Sequence, residues 1–158
     1  MDNIAVRLSR PDELAAVAEL RWHWVQEIYG TPDTSLDEFV PRFMAWAQEN
    51  ESSHRCMVLV RGDVVIGMAW LAITQRVPHP RSFERTSGDL QCVYVVPRER
   101  DRGLGGELIE AVLSLARDLG FERVTVHSSD QAVPAYSRHG FEGTPRLLQI
   151  KVGQDHAE

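Results

Sequence analysis

The spacing of apolar residues divides the first part of the chain into one strand and two helices. Residues 4–10 alternate apolar and polar side chains, which predicts an opening strand. From Pro11 the apolar positions recur at steps of three and four, so we expect a helix that ends at Gly30. A second amphipathic helix is predicted from about Ser35.

The middle of the chain has a period of two. Residues 56–73, CMVLVRGDVVIGMAWLAI, predict a hairpin whose turn is residues 61–63. Residues 75–88 contain two prolines and mixed charges, so we expect a long loop there. Residues 90–97, LQCVYVVP, form a nearly continuous apolar run, which is typical of a central strand covered on both faces.

The last third of the chain alternates helix and strand. After the run RERDRGLGG at 98–106, helical spacing continues to a cap at Gly120. Residues 122–129 predict a strand, residues 131–140 a short helix, and residues 141–152 a final strand or hairpin.

This order of elements predicts an α+β fold, a mixed sheet flanked by helices, in a single domain of residues 1–158. The strand, helix and strand between Leu90 and Ser128 need a right-handed crossover. We therefore expect those two strands to be parallel neighbours.

Composition and charge narrow the class of protein. The chain carries 17 basic and 23 acidic residues, a net charge of −6, which argues against a nucleic-acid partner. No apolar run is long enough to predict a membrane span, and the N-terminus does not have the pattern of a secretory signal. We therefore expect no membrane partner and a cytoplasmic location, and a homodimer stays open.

The cysteines and histidines do not suggest a metal site. Cys56 and Cys92 lie inside apolar, strand-like runs, where buried thiols are common. The histidines lack zinc-binding spacing and the two cysteines are far apart, so we predict no metal.

The glycines of RERDRGLGG stand where a helix begins, although glycine costs about 1 kcal/mol in a helix interior. A helix N-terminus has unpaired N–H groups and positive dipole charge. Gly103 and Gly105 would let an anion approach the backbone closely, and Arg100 and Arg102 would add charge. The run therefore predicts a phosphate cradle. Two nucleotide cradles are excluded, because no Gly-Lys-Ser/Thr follows and Leu108 replaces the third glycine of a dinucleotide fingerprint.

Two motifs together resemble those of the GCN5-related N-acetyltransferase family. Residues 100–105 fit Arg-x-x-Gly-x-Gly directly after an apolar strand. Residues 129–141 look like the block Asn-x-x-Ala-x-x-x-Tyr-x-x-x-Gly-Phe, with matches at Ala132, Tyr136, Gly140 and Phe141. The element order matches the family fold over nearly the whole chain. The resemblance implies transfer of an acetyl group from acetyl-CoA, the co-substrate, directly to a primary amine of a small molecule or peptide.

The resemblance also implies where acetyl-CoA binds. Two parallel strands of the sheet would splay, and the pantetheine arm would pair with the backbone of Val93, Tyr94 and Val95. Ser129 stands where the family often has asparagine. The residues that the resemblance implies for the pyrophosphate cradle are Arg100, Asp101, Arg102, Gly103, Leu104, Gly105 and Gly106. The cofactor core would be about 88–142, and the acceptor side about 11–50 and 75–88.

Two residues are candidates for the catalytic proton transfers. Tyr136 fits the general acid, since a phenol of pKa near 10 can protonate a thiolate of pKa near 8.5. Asp89, at the start of the central strand, is the candidate base, and Glu84 is a second one. A competing interpretation is a catalytically silent domain that binds acyl-CoA as a sensor. Tyr136 favours the enzyme.

Overall fold

The computed structural model describes residues 3–154, which form one mixed five-stranded sheet in the order β1-β2-β3-β4-β5. The strands are β1 (Ile4–Leu8), β2 (His54–Arg61), β3 (Val64–Arg76), β4 (Arg85–Val95) and β5 (Val124–Val126). Neighbours from β1 to β4 are antiparallel, and β5 is parallel to β4. The predicted mixed sheet and its parallel pair are confirmed.

Within residues 3–154, four helices flank the sheet: α1 (Leu14–Tyr29), α2 (Leu36–Glu49), α3 (Leu104–Asp118) and α4 (Val133–Arg138). Short 3-10 turns at 11–13 and 97–99 precede α1 and α3. Ser35 caps α2 by accepting a hydrogen bond from the backbone N–H of Glu38, as its position in the sequence predicts. No helix within residues 3–154 combines the length and hydropathy that crossing a bilayer requires.

The helices cover opposite faces of the central strands. On β3, Trp70 packs against Phe43 and Trp46 of α2. Three residues earlier, a Cβ placed on Gly67 would lie 3.2 Å from Leu108 of α3. Successive side chains of a strand point to opposite faces, so β3 is buried on both sides. The largest fully buried side chains are Leu59, Ile66, Met68, Leu71, Leu90, Leu108, Val17, Val58 and Val112.

Two predicted segments differ from the structure. The long loop predicted at 75–88 is shorter, because cross-strand pairs between β3 and β4 continue to Arg76 and Arg85. Arg85 holds this end of the hairpin by pairing with Glu122 at 2.7 Å and donating to the carbonyl of Val77. The loop is therefore residues 77–84 only.

The final strand predicted at 141–152 is not formed. This segment contains a turn between Thr144 and Leu147 and no strand. The prediction is wrong because an alternating pattern gives a preference for extended backbone, whereas a strand also needs a paired neighbour. Phe141 packs against Tyr136, whereas four later apolar side chains of the segment remain exposed: Leu147, Leu148, Ile150 and Val152.

A buried carboxylate fixes the loop that precedes α3. Glu99 is 6% exposed and accepts two hydrogen bonds at 2.8 Å from the guanidinium of Arg61, at the end of β2. Arg102 adds a contact at 3.2 Å. The hydrogen bonds from Arg61 hold the pKa of Glu99 below its ordinary value. This ion pair joins β2 to the segment that leads into α3.

We expect Gly88→Ala to destabilise the fold. A Cβ at Gly88 would lie 2.7 Å from Leu71 and 3.0 Å from the ring of Phe121, so the core would have to shift. Overpacking of this kind costs about 1–3 kcal/mol in the free energy of unfolding. Urea denaturation measures the change. The control is Gly143→Ala, where a Cβ would meet nothing within 4 Å. Equal stabilities for the two variants would contradict this account of β4.

We expect Glu99→Gln to make the melting temperature less sensitive to acid. The lowered pKa of Glu99 means that its stabilisation is present above the unfolded value near 4.3 and is lost as pH falls through the folded value. The wild type should therefore lose melting temperature more steeply than the variant between about pH 5 and pH 3. Thermal unfolding across this range measures both slopes.

The control for this prediction is Glu49→Gln, a change at an exposed residue at the end of α2. It should keep the wild-type slope. A steep acid slope that persists in Glu99→Gln would contradict the assignment of the pH dependence to the Arg61 pair.

Candidate active site

A gap opens between β4 and β5. The two strands pair only at Gly88 with Val124, Asp89 with Thr125 and Leu90 with Val126. Beyond Leu90 β4 continues to Val95 without a partner on that side. The splayed parallel pair that the sequence resemblance implied is therefore confirmed, and the gap faces the C-terminal ends of both strands.

β4 also bulges away from β3 at the same level. Trp70 of β3 pairs with Gln91, whereas Met68 pairs with Tyr94, so β4 contains one extra residue in this interval. Cys92 lies in the bulge with φ +57, which is unusual for a residue with a side chain. A bulge leaves backbone groups outside the ladder and turns them in a new direction. The backbone at Cys92 and Val93 can therefore serve a ligand that lies in the gap.

The start of α3 has the geometry of an anion cradle. Asp101 and Gly103 have φ +65 and +77, and α3 begins at the next residue, Leu104. The first N–H groups of a helix have no acceptor within the helix, and left-handed residues before it turn those groups inward. A Cβ on Gly105 would meet nothing within 4 Å, so the space over the first turn is open. This observation fits a bound phosphate.

Gly106, also in the first turn of α3, lies against His139, a contact that the sequence did not predict. A Cβ there would lie 2.9 Å from Nε2 of His139, the residue that follows α4. The other ring nitrogen of His139 is 2.7 Å from the carboxylate of Glu110, one turn further along α3. His139 therefore joins α4 to α3. The sequence signal was weak, because only the spacing of Gly106 and Glu110 places both on one face of the helix.

Arg100 faces α1. Its guanidinium donates to both carboxylate oxygens of Glu27, at 2.8 and 3.1 Å, and to the carbonyl of Val95 at 2.8 Å. It also lies 5.2 Å from the centre of the Tyr94 ring. The hydrogen bonds from Arg100 hold the pKa of Glu27 below its ordinary value. The charge of Arg100 is thus engaged within the protein, and its predicted contact with phosphate stays a prediction.

Tyr94 completes this contact between α1 and β4. Its hydroxyl donates a hydrogen bond to Glu27 at 3.0 Å, and burial together with that carboxylate raises the pKa of Tyr94 to about 12. Arg102, by contrast, has a side chain that is 59% exposed, and it contacts Glu99 at 3.2 Å. Of the two arginines assigned to the cradle, Arg102 is the one whose side chain extends into solvent.

Tyr136 lies on α4 beside the gap. Its ring is half-buried and packs edge-on against Phe141 at 5.5 Å. Burial raises the pKa of Tyr136, and the thiol of Cys92 in the bulge raises it further. The hydroxyl therefore stays protonated at neutral pH. The structure brings Tyr136 and the β4 bulge together, as the role of a general acid requires.

Asp89 occupies a polar junction at the closed end of the gap. One carboxylate oxygen accepts from the hydroxyl of Thr125 and the other from the amide of Gln91, both at 2.9 Å. The bond from Thr125 joins β4 to β5, and the bond from Gln91 lies within β4. Glu84 is exposed in the loop 77–84, away from the β4 bulge. The role of Asp89 as base stays a prediction.

Ser129 caps the segment before α4, because its hydroxyl accepts from the N–H of Ala132 at 3.3 Å. Its predicted contact with the cofactor stays a prediction. Over residues 3–154, no cluster of three or more histidine, cysteine, aspartate or glutamate side chains is arranged to hold a metal ion.

Comparison with known proteins gives a match to a family model and to two N-acetyltransferases. The model of the acetyltransferase (GNAT) family matches residues 14–141. An uncharacterized N-acetyltransferase, YjcF, of Bacillus subtilis is 26% identical over 70% of each chain. A glucosamine 6-phosphate N-acetyltransferase of Trypanosoma brucei brucei is 31% identical over 43% of this chain, and that match spans only 46% of its own length.

The fold is also that of solved acetyltransferase structures. The crystal structure of a predicted acetyltransferase from Clostridium acetobutylicum with acetyl-CoA superposes with a TM-score of 0.77, covering 98% of this chain and all of that one at 14% identity. The family match covers the splayed strands, the bulge, the cradle and Tyr136. The chain belongs to the acetyltransferase (GNAT) family.

Proposed function

We propose that this chain is an N-acetyltransferase that moves the acetyl group of acetyl-CoA directly to a primary amine of a small molecule or peptide. The observation that carries the proposal is the alignment of three features along one gap. The bulge at Cys92 offers backbone groups, the open first turn of α3 offers N–H groups, and Tyr136 offers a hydroxyl.

The proposal assigns each feature of the gap to one part of acetyl-CoA. The N–H groups around Gly103 and Gly105 suit the pyrophosphate, and the exposed guanidinium of Arg102 adds a positive charge beside them. The unpaired side of β4, from Cys92 to Val95, suits the amides of the pantetheine arm. The thioester would then reach the level of the bulge, next to Tyr136.

The reaction needs two proton transfers, one from the amine and one to the leaving sulfur, and we assign them to different residues of the gap. An amine of pKa near 10.4 is almost fully protonated at pH 7, so deprotonation accounts for about 4.6 kcal/mol of the barrier. Asp89 would take that proton, directly or through a water molecule. As the carbon–sulfur bond breaks, Tyr136 would donate its proton to the leaving sulfur. The N–H of Val95 would stabilise the oxyanion that forms when the amine adds to the thioester carbon.

The alternative of a silent acyl-CoA sensor uses the same cradle without chemistry. The presence of Tyr136 favours the enzyme, because a protein that only binds acyl-CoA has no need of a proton donor for the leaving sulfur. Release of free thiol from acetyl-CoA in the presence of a panel of amines separates the two functions. A sensor would bind acetyl-CoA and release no thiol above the rate without amine.

The acceptor would bind on the side formed by residues 11–50 and 75–88. The net charge of −6 favours a cationic acceptor. We also propose a cytoplasmic location, which is supported by the two free cysteines, Cys56 and Cys92, since thiols persist in reducing compartments. We also propose a homodimer.

We expect Gly105→Val to weaken CoA binding selectively. The new side chain would occupy the open space over the first turn of α3, where the pyrophosphate is proposed to lie. The dissociation constant for CoA should rise more than about tenfold, which corresponds to about 1.4 kcal/mol. Isothermal titration calorimetry measures the affinity.

The unliganded Gly105→Val protein should melt close to the wild type, because nothing lies within 4 Å of the added Cβ. Gly143→Val, outside the site, serves as the matched control and should bind CoA normally. Acetyl-CoA should raise the melting temperature of the control and the wild type. If Gly105→Val bound CoA as tightly as the wild type does, the first turn of α3 would not be part of the CoA-binding site.

We expect Tyr136→Phe to lower kcat by roughly 10²–10⁴ with any amine that proves to be a substrate. The ring remains to pack on Phe141, so the fold should persist. The KM for acetyl-CoA should change little, because the lost hydrogen bond strengthens only as charge develops on sulfur. Steady-state kinetics and a melting curve measure these quantities.

Tyr29→Phe is the matched control, because Tyr29 is exposed at the end of α1. It should leave kcat unchanged. Full kcat in a stably folded Tyr136→Phe protein would exclude the general acid. A large loss of melting temperature would instead make Tyr136 a packing residue.

A further inference from the structure

The guanidinium of Arg100 ties the end of β4 to α1. Its Nε donates to the carbonyl of Val95 at 2.8 Å, and its two terminal nitrogens donate to the carboxylate of Glu27 at 2.8 and 3.1 Å. A carboxylate that contacts both terminal nitrogens fixes the plane of a guanidinium, and with it the direction of Nε. Glu27 therefore sets the direction from which Arg100 holds Val95.

Val95 turns its backbone polar groups towards the gap. The next residue, Val96, donates its N–H to the carbonyl of Ile66 at 2.9 Å, while Val95 lies opposite Gly67 of β3. Successive residues of an antiparallel strand direct their N–H and C=O groups to opposite sides, so those of Val95 point away from β3. β5 does not reach this level of β4. Arg100 occupies the carbonyl of Val95, and the N–H of Val95 faces the gap.

Glu27 belongs to a stripe of α1 that follows β4. Trp24, three residues before Glu27, stacks on the ring of Tyr94 at 5.8 Å, and the hydroxyl of Tyr94 donates to Glu27 at 3.0 Å. Arg21, a further three residues back, lies over the ring of Trp24 at 4.8 Å. Residues at this spacing share one face of a helix. Packing of α1 on β4 therefore fixes Glu27 before it contacts Arg100.

We propose that Glu27 is a positioning residue for acetyl transfer, which holds Arg100 on the carbonyl of Val95 and so keeps the Val95 N–H directed at the thioester. The inference rests on the proposed function, in which that N–H stabilises the oxyanion. Such a donor acts only when it points to the place where the charge develops, and loss of one donor costs roughly 10²–10³ in kcat. Glu27 touches no reacting atom, so its effect passes through Arg100.

The charge of Arg100 has a second possible use, which experiment can separate from the first. If Arg100 left Glu27 to contact the pyrophosphate, the two contacts would compete, and removing the carboxylate would tighten CoA binding. If Arg100 instead stays on Val95, removing the carboxylate lowers kcat and leaves CoA affinity nearly unchanged, because the oxyanion exists only in the reaction.

Glu27→Gln tests the inference, because it keeps the length of the side chain and removes its charge. We expect kcat to fall roughly 10- to 100-fold with any amine that proves to be a substrate. The dissociation constant for CoA, measured by isothermal titration calorimetry, should change by less than about threefold. The side chains of Glu27 and Arg100 are 35% and 38% exposed, so the variant should fold, and a melting curve confirms that. Glu19→Gln makes the same change at an exposed position of α1 and should leave kcat unchanged.

Arg100→Lys separates alignment from charge. Lysine keeps the positive charge but lacks the planar fork that contacts Glu27 and Val95 together. We expect Arg100→Lys to lower kcat as Glu27→Gln does. The double variant should lose no more than the larger of the two single losses, because both residues act through one contact. Losses that multiply would mean that the two side chains act separately, which would contradict the inference.

Spectra of the unliganded protein give a readout that does not depend on turnover. In the ¹⁵N-labelled wild type, the Nε–H of Arg100 donates to Val95 and should exchange slowly with water. Glu27→Gln should speed up that exchange and shift the amide signals of Val95 and Val96, whereas Glu19→Gln should do neither. If no amine releases thiol from acetyl-CoA, the proposed function is wrong, and these spectra alone decide whether Glu27 positions Val95.

Three further results would overturn the inference. The first is a folded Glu27→Gln protein with full kcat. The second is tighter binding of CoA by Glu27→Gln, which would mean that Arg100 leaves Glu27 to contact the pyrophosphate. The third is unchanged exchange of the Arg100 Nε–H in that variant, which would mean that the contact with Val95 does not depend on Glu27.

Discussion

The active site depends on two interruptions in the pairing of β4, one with β5 and one with β3. Both lie at nearly the same position along the strand. Pairing with β5 ends at Leu90, and the bulge against β3 follows at Cys92. The first departure opens space for a ligand, and the second frees backbone groups beside that space. The left-handed Cys92 costs of order 1–3 kcal/mol, which the surrounding structure must offset. Regular pairing with β3 on both sides of the bulge, to Arg85 and to Val95, provides that support.

The loop before α3 is held by ion pairs with two distant parts of the chain. Glu99 pairs with Arg61 at the end of β2, and Arg100 pairs with Glu27 on α1. Three arginines beside a helix N-terminus would repel one another and the positive end of the helix dipole. The two carboxylates offset that repulsion and fix the loop before any ligand arrives. Arg102 keeps most of its side chain in solvent, so its charge remains available to an anion.

Much of the fold could be predicted from local patterns, because α1, α2, α3 and the central strands bury regular apolar stripes. Gly103 could be assigned to the cradle, because glycine tolerates the left-handed backbone that precedes α3. The bulge at Cys92 could not be predicted, since nothing in an apolar run shows that one strand has an extra residue relative to its partner. Glu27 and His139 were missed because their partners lie far away in sequence. The segment 141–152 was predicted as a strand because its alternating pattern favours an extended backbone. The pattern does not show whether a neighbouring strand is available for pairing.

The position of Tyr136 is coupled to the cradle through α4. That helix is only six residues long, and helices so short do not persist without tertiary contacts. Phe141 supports it from one side, and His139 anchors its end to α3 through Glu110. His139 fits there because Gly106, in the first turn of α3, has no side chain. The same turn therefore faces the proposed phosphate on one side and positions the proposed acid on the other.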